Sequence, residues 1–300
     1  MDDSLSAMFA TYPWLAPAAA GVFGAILGSF LNVVILRVPA GRSIVTPGSQ
    51  CGCGAPIAWY DNIPILSWFI LRGKARCCGR AYSIRYAAIE TVTAALFATC
   101  WLVLPPAQAI AGCVMIGGLI CATFIDLDHL IIPDGLTIGG ALLGLALSVA
   151  LPAMHGFSSE FWIADALRAA VASLKGVFIG SAAVLWIAIL AEAVLKKDAM
   201  GFGDVKLVGA IGAFCGWQGA LFSIFGGAVV GSLWVAAAWL WRRGGGRRIV
   251  PAQTAEGEET ELALGVHVPF GPMLAAGAVI YALLARPWVT AYFDGIASLF

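Results

Sequence analysis

The sequence predicts an all-α fold: a polytopic integral membrane protein of about eight transmembrane helices, with a small cytoplasmic domain between the first and the second. Three observations predict it. Hydrophobic residues make up 61% of the 300 and charged residues 11%, where soluble domains have roughly 45–50% and 25%; mean hydropathy is +0.91. The apolar residues are gathered into runs close to the ~20 that a spanning helix needs. The basic residues fall almost entirely on one side of the path those runs define. A soluble globule has no way to hide so much apolar surface. That excludes an ordinary cytosolic enzyme, a nucleic-acid binder and a disordered chain, and leaves membrane lipid as the solvent.

Backbone groups in lipid must bond within their own segment, so long apolar runs become helices. The spans are expected at 14–36, 87–104, 108–125, 135–152, 172–195, 206–222, 223–241 and 268–285. The sixth and seventh form one unbroken apolar stretch, with Gly226-Gly227 as the turn between them; seven or nine spans would fit the same runs. The N-terminus, Met1-Asp2-Asp3, has no basic region of the kind that opens a cleavable signal. Gly24 and Gly28 in the first span have the spacing that lets helices approach closely.

Orientation follows from Lys and Arg. With the N-terminus outside, the 37–86 segment is cytoplasmic and holds Arg37, Arg42, Arg72, Lys74, Arg76, Arg80 and Arg85. The same choice puts Lys196, Lys197, Lys206, Arg242, Arg243, Arg247 and Arg248 inside, so fourteen of the seventeen basic residues are cytoplasmic. Arg168, Lys175 and Arg286 fall outside or at the outer edge. The resulting domains are the first helix (1–36), a cysteine-containing cytoplasmic domain (37–86), a membrane domain (87–285) with a cytoplasmic loop at 242–267, and a C-terminal tail (286–300). The loop, with Gly244-Gly245-Gly246 and Glu256, Glu258, Glu259 and Glu261, reads as a flexible solvated connection.

Acids at the ends of spans are costly and are functional suspects. Two segments carry them: Asp126-Leu127-Asp128-His129, running on to Pro133-Asp134 as the third span ends, and Gly201-Phe202-Gly203-Asp204-Val205-Lys206 as the sixth begins. The orientation puts both at the cytoplasmic boundary. Two adjacent carboxylates share a proton, because both cannot easily ionise; the charged one activates water and the neutral one protonates a carbonyl oxygen. Asp126 and Asp128 point to nearly opposite sides of a helix, so a dyad joins one of them to Asp204. Asp204 at a helix start suits the ionised base, with Lys206 nearby in support, and Asp126 then takes the protonated role. The plainer readings are N-caps for Asp134 and Asp204, a boundary charge for Asp128 and an interfacial side chain for His129.

Of eight cysteines, Cys100, Cys113, Cys121 and Cys215 lie in apolar runs and read as packing residues. Cys51, Cys53, Cys77 and Cys78 crowd one polar stretch in a reducing compartment, where zinc is the usual reason for four thiols to gather. The spacing, C-x-C and then two vicinal cysteines, also fits reactive or inert thiols.

Several motifs in order resemble the type IV prepilin peptidases, bifunctional leader peptidases and N-methyltransferases of pilus and type II secretion systems. Gly28-Ser29-Phe30-Leu31-Asn32-Val33-Val34-Ile35-Leu36-Arg37-Val38-Pro39 is similar to the family's entry motif. Asp61-Asn62-Ile63-Pro64-Ile65-Leu66-Ser67-Trp68, Leu71-Arg72-Gly73, Arg85-Tyr86 and Glu90 resemble its cytoplasmic domain. Asp126 to Asp134 and Gly201-Phe202-Gly203-Asp204-Val205-Lys206 resemble its two aspartate motifs, and Pro269-Phe270-Gly271-Pro272 its last entry. The resemblance runs from about 21 to 280.

The resemblance implies that Asp126 and Asp204 are the catalytic pair. Related preflagellin peptidases keep an aspartate seven residues before the Ile-Pro proline, which from Pro133 is Asp126; Asp128 is the second choice. It implies type IV prepilins or pseudopilins as substrates, with a basic leader suited to the acidic site, S-adenosylmethionine as methyl donor with no contacts assigned, and the bacterial inner membrane as location. It also supports structural zinc on Cys51, Cys53, Cys77 and Cys78. Longer members have two C-x-x-C pairs; here the first is one residue short, and Ala75 stands where the second begins, with Cys77 as a substitute. The alternatives are a proton- or ion-coupled membrane transporter and a non-catalytic pilus assembly scaffold.

Overall fold

The structure is a computed structural model that describes residues 11–196, 200–243 and 269–297. Nearly all of the expected loop at 242–267 lies outside the described residues, as do Lys197, Arg247 and Arg248. The helices are α1 (Leu15–Arg37), the short α2 (Leu66–Ile70), α3 (Arg85–Val103), α4 (Pro106–His129), α5 (Asp134–Ala150), α6 (Trp162–Leu195), α7 (Phe202–Arg243), α8 (Gly271–Ile280) and α9 (Arg286–Ala297). Among the described residues, six helical segments are long and apolar enough to cross a membrane, Phe202–Trp241 and Gly271–Ile296 each taken as one, and α5 is a shorter apolar helix. The protein is an all-α polytopic membrane protein, as its composition requires.

Helix α4 is the shared wall. One side of it, Ile116, Ile120, Cys121 and Ile125, packs into a core with α1 and α3. Its other side, Ala111, Met115, Leu119 and Ala122, packs into a second core with α7 and α8. A helix apolar all round belongs in the middle of a bundle. The close approach expected at Gly24 and Gly28 is real: a Cβ on Gly28 would lie 2.8 Å from the Glu90 Cα of α3.

The expected break in the sixth and seventh spans exists, but at Gly216 and not at Gly226-Gly227. Gly216 has φ 71° and ψ −179° inside α7, a conformation open to glycine alone. The chain reverses there. Gly180 of α6 faces both Val208 and Ala220, which a straight helix would hold about 18 Å apart. The 202–215 half runs beside α5, bringing Ala210 to Gly140 and Ala213 to Gly144, and the 217–243 half runs antiparallel to α8, bringing Gly219 to Tyr281 and Gly227 to Met273. The C-terminal tail is also corrected. Residues Arg286–Ala297 are helical, joined to α8 through a π turn at Tyr281–Ala285.

The break at Gly216 leaves carbonyls at the end of the 202–215 half without helical partners. His155, in the single turn Pro152–His155 after α5, bonds to the Ala213 backbone. Arg286, read from sequence as an outer-edge charge, donates to the Met154 carbonyl at 2.7 Å. Burial, and then the nearby Arg286 guanidinium, push the His155 pKa down to about 4.

The unfolded imidazole titrates near 6.5, so the fold favours its neutral form. The stability this brings is complete above pH 6.5 and is lost as pH falls towards 4, by about 3 kcal/mol at most. Thermal unfolding of the detergent-solubilised protein from pH 7.5 to 4.5 should show this loss. A His155→Asn variant is expected to be less stable at neutral pH and flatter across that window.

Candidate active site

The site is assembled from three helix ends. Helix α4 stops one turn past Asp126, where Leu130 takes a left-handed φ of 55° and its N–H closes on the Asp126 carbonyl at 2.9 Å. The chain then runs through Ile131 and Ile132 to Pro133, which starts α5. Ile132 is the spacer between the other two ends. A Cβ on Gly203 would lie 3.5 Å from the Ile132 Cβ, and one on Gly271 would lie 3.2 Å from its Cδ1. The starts of α7 and α8 therefore lean on one side chain.

Asp126 and Asp204 are 6% and 8% exposed. Asp204 is the third residue of α7, bonded to the Gly201 backbone and lying within the electrostatic reach of Asp126. The Asp126 Oδ2 accepts the backbone N–H of Gly271, the first residue of α8, at 3.2 Å. Both carboxylates are thus served by amides at or beside a helix start, where negative charge is favoured. The argument that singled out Asp204 as the base applies to Asp126 as well, through α8. A Cβ on Gly271 would fall 2.5 Å from the Asp126 Oδ2, so only glycine lets this amide reach the carboxylate.

The neighbouring charges have other partners. Asp128 is held by Arg85, Nη1 to Oδ1 at 2.7 Å and Nη2 to Oδ2 at 2.6 Å, and Arg85 also donates to the Phe124 carbonyl and covers the Phe124 ring. It faces α3, not Asp204, and its charge is matched already, which removes it as an attraction for a basic leader. Asp134 is not an N-cap. Pro133 holds that position, and the Asp134 carboxylate takes the Lys206 ammonium at 2.6 Å. Lys206 is therefore committed to Asp134. His129 is exposed.

The four cysteines of 37–86 converge. Their sulfurs lie within 4.8 Å of one another, with Cys51 Sγ to Cys78 Sγ at 3.6 Å and Cys53 Sγ to Cys77 Sγ at 3.5 Å. Tetrahedral zinc with Zn–S near 2.3 Å needs sulfurs about 3.8 Å apart, so the donor set fits the ion. Two tight turns present them: Gly54, with φ 88°, returns its N–H to Cys51, and Gly79, with φ 68°, returns its N–H to Ala75. Ala75 opens the second turn, and Cys77 reaches the cluster beside its vicinal neighbour. The Cys53 amide, with the Cys77 and Cys78 thiols, lowers the Cys51 pKa to about 7, while Cys77, donating to Cys51 and Cys53, is pushed up to about 12. A thiolate at Cys51 is the form a metal takes. Asp61, the acid of this unit, is engaged by Arg76 through three hydrogen bonds.

Sequence reasoning missed the contact roles of Gly271, Ile132 and Arg85. The one available signal was Gly271-Pro272, a proline near a helix start, which marks where the free amides of α8 begin.

Comparison with known proteins follows this geometry. Residues 22–104 match the bacterial peptidase A24 N-terminal domain, and residues 113–236 match the type IV leader peptidase family. The chain is 34% identical to a prepilin leader peptidase/N-methyltransferase of Myxococcus xanthus, over 90% of each chain. It is 31% identical to one of Pectobacterium carotovorum, over 92% of this chain and 96% of that one. It is 35% identical to one of Klebsiella pneumoniae, over 70% of this chain and 89% of that one. No solved structure matches.

The Arg85–Asp128 pair is about one-third exposed on each side, so its coupling is discounted for solvent. A double-mutant cycle with Arg85→Met and Asp128→Asn, followed by thermal or denaturant unfolding, should give a coupling of about 1 kcal/mol. A coupling indistinguishable from zero would mean the pair does not hold α3 to α4.

Proposed function

Because the chain belongs to the type IV leader peptidase family, we propose that it is a membrane aspartic endopeptidase that removes the leader from type IV prepilins or pseudopilins. Cleavage takes place at the cytoplasmic boundary of the bacterial inner membrane, and S-adenosylmethionine-dependent N-methylation of the new N-terminus follows. The observation that carries the reading is that two buried carboxylates from distant parts of the chain, Asp126 and Asp204, lie within electrostatic reach of each other at helix ends that share Ile132 as a spacer. The distribution of basic residues supports a cytoplasmic site and an external N-terminus. The transporter and scaffold alternatives draw no support from the relatives' names.

The chemistry follows from the pair. Two buried carboxylates brought together on a substrate share one proton, because both cannot easily ionise side by side. The ionised one takes a proton from water as the water oxygen attacks the scissile carbonyl carbon. The neutral one gives its proton to the carbonyl oxygen. The tetrahedral intermediate then collapses: the C–N bond breaks, the leaving amine takes the proton that the first carboxylate had received from water, and the second carboxylate recovers its proton from the intermediate's hydroxyl as the new carboxyl group forms. The Gly271 N–H keeps Asp126 from turning away from this line. Asp128, neutralised by Arg85, takes no part in the proton transfer.

Zinc, where bound, supplies a closed tetrahedral cross-link and no open position for chemistry. Cys51, Cys53, Cys77 and Cys78 would hold it and tie residues 51–54 to residues 77–79. The methylation proposal rests on the names of the relatives, and the residues that bind the methyl donor are left unassigned.

Purified protein incubated with a prepilin in detergent tests the peptidase. Asp126→Asn and Asp204→Asn should each lose about 10²–10⁴-fold in cleavage rate, and Gly271→Ala about 10²-fold with the fold retained. Asp128→Asn should keep most of the activity. Full leader removal by both folded Asn variants overturns the proposal. Labelled methyl donor in the same tube tests the second activity.

Elemental analysis should find one zinc per chain, lost in Cys77→Ser, and its removal should expose the cysteine thiols and make the 37–86 unit more sensitive to protease. Protein without zinc above background would end the metal assignment.

A further inference from the structure

Helix α3 has no length to spare. Its 19 residues rise about 28 Å, just what the hydrocarbon core demands. Arg85 therefore marks a bilayer boundary, and Glu90, five residues on, lies about 7 Å inside it. Glu90 is buried, and an acid at such depth needs a partner. Its Oε2 accepts the backbone N–H of Ile65 at 2.6 Å, and its carboxylate also bonds to the Ser29 side chain of α1. Ile65 belongs to the unit that the basic residues place in the cytoplasm, yet this hydrogen bond draws it down to Glu90.

The local backbone is built for that depth. Ile65 has φ 64° and ψ −54°, and the Leu66 N–H bonds back to the Pro64 carbonyl at 2.6 Å. This is a three-residue turn of the strained hand, costly for a β-branched residue. It aims the Ile65 amide at Glu90. Irregular backbone inside a bilayer is tolerated only when its polar groups are satisfied by protein. At the turn itself the N–H groups are: Pro64 has none, Ile65 donates to Glu90, Leu66 to Pro64 and Ser67 to the Ile63 carbonyl at 3.0 Å.

The side chains agree. Leu66, Phe69 and Ile70, one face of α2 by their spacing, are 57%, 62% and 68% exposed. Ser67 is buried with its hydroxyl on the Tyr60 carbonyl, and Trp68 covers Gly73. The exposed face begins beside Ser29 and Glu90, where α1 presents Phe23, Ile26 and Phe30 outward. Depth relative to the aspartates follows from two contacts between the antiparallel helices α3 and α4, Arg85 with Asp128 and Cys100 with Gly112. They set Glu90 about one turn beneath Asp126.

We propose that residues 63–70 form a membrane-inserted elbow of the otherwise cytoplasmic 37–86 unit, with Leu66, Phe69 and Ile70 seated among the lipid acyl chains of the leaflet that holds Asp126 and Asp204. The elbow continues the lipid-facing surface of α1 and is anchored by Glu90. It fixes the cysteine-bearing unit to the bilayer beside the aspartates.

The test uses the full chain in nanodiscs of phosphatidylethanolamine and phosphatidylglycerol. The photoreactive residue benzoylphenylalanine is placed at Phe69, at Phe23 as the lipid-facing reference, or at Arg80 as the water-facing one, and adducts are read by mass spectrometry. Position 69 is expected to give lipid adducts in a yield matching position 23, and position 80 none. In a Glu90→Ala background the lipid adducts at 69 should fall while those at 23 persist; Glu90→Gln, which keeps an acceptor, should restore them. Lipid yield at 69 no higher than at 80 overturns the proposal. So do adducts at 69 that go mainly to a second copy of the chain or to an added prepilin.

Discussion

The amide of Gly271 on the carboxylate of Asp126 is the contact through which the membrane domain closes. It joins the end of α4 to the start of α8, with Ile132 wedging the start of α7 into the same corner. The constraint behind it is general. In a bilayer every polar group must find its partner inside the protein, so a carboxylate at a helix end selects which other helix ends can lie beside it. Helix starts, with their unpaired amides, suit that role, and two of them meet here. Glycine at 271 and isoleucine at 132 are then consequences of geometry: one allows the approach and the other sets its distance.

The same constraint explains the polar contacts away from the aspartates. Where α7 breaks at Gly216, the His155 ring is bonded to the Ala213 backbone and Arg286 binds the adjacent Met154 carbonyl. Where the cytoplasmic unit dips to α3, Glu90 holds the Ile65 amide. At these two departures from regular helix, a side chain arrives from another segment to meet the backbone.

That also sets what was legible in the sequence. Spans follow from apolar run length, and the first four lie within about four residues of their expected bounds; the fifth begins ten residues earlier, at Trp162, because the polar and charged residues Asp165, Arg168 and Lys175 are carried within the helix. Asp126 and Asp204 stood out as candidates because acids at span ends are costly wherever they occur, and both are buried at helix ends that lean on Ile132. The position of the α7 break was not legible. Gly216, Gly226 and Gly227 all sit in one apolar stretch, and only packing decides among them: Gly227 is used for close approach to the Met273 backbone, and Gly216 for the turn. Asp134 looked like a cap because capping is a local rule, whereas its partner Lys206 comes from another helix. The cysteine spacing looked irregular because residue counts do not see turns, and the turn closed by Gly79 brings Cys77 and Cys78 to the same cluster.

Two contacts connect the cysteine-bearing unit to the aspartates, and they act on different parts of it. Arg85, the last link of that unit and the first residue of α3, grips Asp128 two residues past Asp126 and stacks on Phe124 two residues before it. Glu90 holds the elbow at Ile65 one turn deeper. The first contact ties the start of α3 to the end of α4, and the second ties Ile65 to α3, so the elbow is referred through one helix to the segment that carries Asp126. The ordering of the two proposed activities needs no timing device for a chemical reason: the amine that would be methylated does not exist until the scissile C–N bond is cut.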